Sequence, residues 1–127
     1  MADFAAVHER LRAILVPYFG SLSVTKDGPN GVAVEYPGLE GKPWGFVAAT
    51  RLGKSYVSYY LMSVYAMPDL LDSISPELRR RMQGKSCFNF TKVDESLMAE
   101  LEALTAAGMA RRDEMLALAR AAEARRR

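Results

Sequence analysis

The hydrophobic period of this chain alternates between helical and strand spacing, and that alternation limits the folds open to it. Phe4, Val7, Leu11, Ile14 and Leu15 recur at helical spacing, which predicts an amphipathic helix from about Asp3 to Val16. Asp3 suits the N-cap, and Pro17 disfavours helix at the residue before it. From Ser21 to Val64 the pattern becomes short β-branched and aromatic runs separated by Gly, Pro and Asn. Ser21–Thr25 and Val32–Tyr36 read as strands, with KDGPNG between them as a hairpin loop longer than two residues. Trp44–Arg51 and Tyr56–Val64 read as a third and a fourth strand. Their short connections predict an antiparallel meander.

The period then lengthens again. A short helical stretch opens at Met67-Pro68-Asp69 and runs to Ile74. Ser75-Pro76-Glu77 starts a further helix, with Ser75 as cap and Pro76 at the first helical position. Gly84 ends that helix. Lys85–Phe90 reads as a fifth strand, with Phe88 and Phe90 on one face and Lys85, Cys87 and Asn89 on the other. From Asp94 a final helix runs almost to the end, with Leu97, Leu101 and Leu104 as its stripe. Gly108 interrupts it at a cost of about 1 kcal/mol relative to Ala, and residues 119–127 read as a frayed tail. Met109 and Met115 fall outside the stripe, which suggests a second contact surface for a partner or a homodimer.

Two helical stripes against one sheet face predict an α+β fold. It is a two-layer sandwich of about five mostly antiparallel strands, with the N-terminal and C-terminal helices on one face. The 127 residues make one domain. Half of them are hydrophobic and a quarter charged, the balance of a globular protein. The apolar runs are too short for a membrane span. The first residues, with Asp3 and Glu9, lack the pattern of a signal peptide, so a cytoplasmic protein is expected. A net charge of +2 is too small to point to nucleic acid. The single cysteine excludes an internal disulfide and a Cys-clustered zinc site.

Candidate chemistry gathers between Lys54 and Phe90, which holds four of the six tyrosines and the cysteine. Strand parity puts Val57, Tyr59 and Leu61 toward the helices and Tyr56, Ser58 and Tyr60 on the open face. A binding site built there uses Trp44, Tyr56, Ser58, Tyr60, Cys87 and Asn89 for contact, with Lys85 and Arg80 or Arg81 neutralising an anion. Gly84-Lys85-Ser86 resembles the end of a phosphate-binding loop, but Arg79 stands where that motif needs Gly. Catalysis is not expected. The only histidine, His8, lies on another element from Cys87, and no acid–base pair has workable spacing. The residues therefore predict a non-enzymatic binding protein for a small anion or a protein partner, without a cofactor.

The strand KSYVSYY (Lys54–Tyr60), the run SPELRRRMQGKSCFNF (Ser75–Phe90) and the Glu-Leu…Leu-Thr helix after it resemble the YdhG-like family of small bacterial domains of unknown function. The resemblance covers the second and third quarters of the chain, and the N-terminal third by pattern. It implies an α+β sandwich. Because some members are grouped with frataxin-like iron chaperones, it also implies an alternative role in iron binding. Asp3, His8 and Glu9, or else the Asp69 and Asp72 pair, would then be the ligands, although residues Glu77–Lys92 are net positive.

Overall fold

A computed structural model describes residues 3–42 and 44–125. Helix α1 (Phe4–Leu15) starts at Asp3, whose Oδ1 accepts from the Ala6 N–H at 3.0 Å. It ends in a 3-10 turn over Val16–Tyr18 that contains Pro17. Five strands follow in sequence order as one antiparallel meander: β1 (Ser23–Gly28), β2 (Gly31–Glu35), β3 (Phe46–Leu52), β4 (Val57–Leu61) and β5 (Cys87–Phe90). Between β4 and β5 lie α2 (Met62–Ala66), a 3-10 segment (Pro68–Ser73) and α3 (Pro76–Arg79). Helices α4 (Glu95–Ala110) and α5 (Arg112–Arg125) complete the chain.

The fold is the expected two-layer α+β sandwich. The core lies on one sheet face, where Val32, Val34, Val57, Tyr59, Leu61, Phe88 and Phe90 meet Val7, Leu11, Leu97, Met98 and Leu101 from the helices. Full burial of a large aliphatic or aromatic side chain contributes about 1.5–3 kcal/mol, so this layer sets the strand parity. Two buried hydroxyls partner each other across it. Tyr59 Oη and Thr105 Oγ1 lie 2.6 Å apart in the core, and burial pushes the Tyr59 phenol pKa up. Among the described residues, no helix is long and apolar enough to cross a membrane.

Several local expectations are corrected. Gly28 pairs with Gly31, so the first hairpin closes on Pro29 and Asn30 alone. β4 stops at Leu61, and Met62–Ala66 is helical. Helix α3 is four residues long, with Ser75 Oγ accepting from the Leu78 N–H. Residues 81–83 leave it to cover the edge of β5: the Asn89 N–H donates to the Arg81 carbonyl at 2.8 Å, and the Gln83 N–H to that of Cys87 at 2.9 Å.

The last helix is two helices, not one. Arg111 breaks the run and is held by Asp69 at 2.7 Å and by Glu114. Helix α5 therefore folds back along α2, and Met115 belongs to the core rather than to an outer contact surface. Its Ala119 and Ala122 are buried and the helix continues to Arg125, where a frayed tail was expected. Arg126 and Arg127 of that tail lie outside the described residues.

Candidate functional site

The sheet face away from the helices is assembled by register. One rung runs Lys26–Ala33–Ala49–Tyr60–Cys87 across all five strands, and the next runs Gly28–Gly31–Arg51–Ser58–Asn89. Small residues at Gly31, Ala33 and Ala49 leave a floor that larger neighbours border. The result is a depression of about 740 Å3 bordered by Lys26, Asn30, Arg51, Lys54 and Tyr60. A second depression of about 220 Å3 adjoins it, lined by Arg51, Lys54, Ser55, Tyr56, Ser58 and Tyr60. The two share Arg51, Gly53, Lys54 and Tyr60.

Gly31 is required where it stands. A Cβ there would meet the Thr50 carbonyl oxygen at 2.8 Å and the Lys26 Nζ at 3.5 Å. The Lys26 ammonium thus reaches over Gly31, whose register partner is Arg51. Among the described residues, no carboxylate lines either depression and none pairs with Lys26, Arg51 or Lys54. Glu35 shares the strand parity of Gly31 but lies four residues along β2, about 13 Å away, where it accepts from the Gly41 N–H.

The helix side of the molecule is arranged differently. Arg10 is held by Glu95 and Glu102, and Arg12 by Asp27 at 2.7 Å. The hydrogen bonds from Arg12 and Arg10 hold the Asp27 and Glu95 carboxyls below their usual range. Arg10 and Arg12 are thus tied to carboxylates on that side, whereas Lys26, Arg51 and Lys54 on the open face have no carboxylate partner among the described residues.

Directly beneath the site, the Val32 N–H donates to Thr50 Oγ1 at 3.1 Å, and His8 Nε2 lies 2.7 Å from the same oxygen. The Thr50 hydroxyl keeps its own hydrogen and a second lone pair, so it can bond Nε2 in either neutral tautomer. His8 is 2% exposed, and burial lowers its pKa below 6.5. This pair braces the β2–β3 ladder from the helix side.

The residues singled out from the sequence fall into four places. Tyr56, Ser58 and Tyr60 share the open face with Cys87 and Asn89, as parity predicted. Tyr56 is 40% exposed, but Ser58 is buried and donates to Asn89 Oδ1 at 2.7 Å. The Cys87 thiol also faces that oxygen, at 3.3 Å, and Asn89 Nδ2 donates to Gln83. Ser58, Cys87 and Asn89 therefore satisfy one another.

Lys85 lies past the other end of β4, in a separate depression with Arg79. Arg80 pairs with Glu77 in solvent, and Arg81 is exposed beyond α3. Trp44 borders an apolar groove of about 160 Å3 beside α5, with Met62 and Met115. The open-face cations Lys26, Arg51 and Lys54 were missed. The signal for Arg51 was available, because it alternates with Thr50 on β3 and shares the parity of Ala49.

The residues considered for iron are dispersed. Asp3 caps α1, His8 is buried against the sheet and Asp69 pairs with Arg111, while Glu9 and Asp72 are exposed. Among the described residues, no three His, Cys, Asp or Glu side chains cluster as a metal site would need. Compared with protein-family models, curated proteins and solved structures, the chain finds no match.

Proposed function

We propose that this protein is a non-enzymatic binding protein whose uncovered sheet face takes a small multivalent anion. The observation that carries this reading is the contrast in charge between the two faces. Arg10, Arg12 and Arg111 are tied to carboxylates, whereas Lys26, Arg51 and Lys54 border two adjoining depressions and have no carboxylate partner among the described residues. Like charges held together repel, and an anion relieves that repulsion. Arg51 supplies a planar fork of donors suited to phosphate or carboxylate oxygens. The Tyr56 and Tyr60 hydroxyls and the Asn30 amide border the same space and add neutral donors.

Several features favour binding over catalysis. Cys87 is engaged with Asn89 on the open face, while His8 is buried with Thr50 on the opposite face, so the pair cannot act as nucleophile and base. Among the described residues, the iron role implied by the YdhG-like resemblance has no comparable cluster of ligands behind it.

Calorimetric titration with pyrophosphate, followed by phosphate and a dicarboxylate, tests the reading. Each charge-assisted hydrogen bond contributes about 1.5–3 kcal/mol, so Arg51→Gln should weaken pyrophosphate binding at least about tenfold. Lys92→Gln, which removes an exposed charge after β5, should leave it unchanged. Equal loss in both variants would reduce the effect to net charge. No heat of binding for any of the three anions would end the proposal.

A further inference from the structure

The depression that holds Arg79 and Lys85, of about 620 Å3, lies past the far end of β4, between α2, the 3-10 segment and the turn into β5. Its chemistry differs from that of the sheet face. The floor is apolar, made by Val64, Leu71 and Met82. The rim carries Arg79, Lys85 and Tyr65. Arg79 donates from Nη2 to the Leu71 carbonyl at 2.9 Å, which anchors the guanidinium and leaves its other N–H groups available. Lys85 reaches its place because Gly84 adopts φ +80°, and its ammonium lies 5.9 Å from the Tyr65 ring centroid. No carboxylate lines this space, and among the described residues neither cation has an acidic partner.

We infer that this depression is a binding site for an organic monoanion with an apolar body, such as an aromatic carboxylate. The head group sits between Arg79 and Lys85, and the body covers Leu71, Met82 and Val64. The volume falls within the usual range for small-molecule sites, about 300–1,000 Å3. Two cations over an apolar floor select for both halves of such a ligand. An inorganic anion leaves the floor uncovered, and a neutral apolar molecule leaves the cations unmatched. The site shares no lining residue with the sheet-face depressions, so it stands or falls separately from the proposed function.

The test uses 2-naphthoate and its neutral analogue 2-naphthylmethanol as probes, followed by backbone amide shifts of the full chain. The acid should bind at least about tenfold more tightly than the alcohol. Its shifts should centre on Val64, Tyr65, Leu71, Met82 and Lys85. Arg79→Gln and Lys85→Gln should each weaken the acid about tenfold and leave the alcohol unaffected. Saturating pyrophosphate should not displace the naphthoate. Equal binding of acid and alcohol, an unchanged Kd in both variants, or shifts centred on the Trp44–Met115 groove would overturn the inference. Displacement by pyrophosphate, or no binding tighter than about 1 mM, would do the same.

Discussion

Gly108 and Ser63 bring α4 and α2 into close contact, and Gly108→Ala probes that contact with a sign opposite to helix propensity. In an exposed helix interior that change stabilises by about 1 kcal/mol. Here a Cβ at Gly108 would overlap Ser63 Oγ and come to 2.8 Å from Ser63 Cβ. Carbon atoms in favourable contact lie about 3.5–4.0 Å apart. Rotating the Ser63 side chain moves the hydroxyl but not the Cβ, so α4 must shift away from α2. Overpacking of this kind costs about 1–3 kcal/mol, and a clash with two atoms belongs near the upper end. The expected net loss is about 2 kcal/mol, or about 8 °C in Tm for a domain of this size.

Ser63→Gly removes the obstacle. It also removes a buried hydroxyl that has no hydrogen-bond partner among the described residues. In that background Gly108→Ala should become neutral or stabilising, which gives a coupling of about 2–3 kcal/mol between the two positions. Urea unfolding of the four proteins in the cycle measures it. An equal loss from Gly108→Ala in both backgrounds, or a gain in the wild type, would refute the close-contact argument.

Two other core features make measurable claims. Tyr59→Phe leaves the Thr105 hydroxyl unpartnered and should cost about 1–3 kcal/mol; adding Thr105→Val should recover most of that, and a double variant as unstable as the sum would count against the bond. His8 has a folded-state pKa below its unfolded value of 6.5, so as pH falls below 6.5 the unfolded chain takes up the proton first and stability drops. The paired carboxylates Asp27 and Glu95, also lowered, act further down, in the carboxylate range. Urea midpoints should therefore fall between about pH 7 and about pH 5 in the wild type and stay level in His8→Gln; parallel falls would acquit the histidine.

The meander and the helix caps were legible because they are local. Asp3, Ser75 and Asp94 each bond to a backbone N–H of the turn they begin. Strand parity separated Val57, Tyr59 and Leu61 from Ser58 and Tyr60 before any register was known. What could not be read depended on distant partners. Met62–Ala66 continues the β-rich composition of β4, yet it turns helical and packs on α4 and α5. Residues 81–83 have helical propensity but are drawn to the edge of β5. The break at Arg111 depends on Asp69, 42 residues earlier. The candidate site was half visible for the same reason. Tyr56 and Tyr60 follow from parity along one strand, but Lys26 joins Arg51 only through pairing across β1, β2 and β3.

The central claim is that three unneutralised cations on the open sheet face hold a small anion. Backbone amide shifts during a pyrophosphate titration, repeated at two salt concentrations, test it most directly. The largest shifts should fall on Lys26, Arg51, Gly53, Lys54 and Tyr60, and the affinity should drop as salt rises, because exposed charges are screened over about 8–10 Å. Shifts confined to the helix side, or an affinity that salt does not alter, would contradict the account.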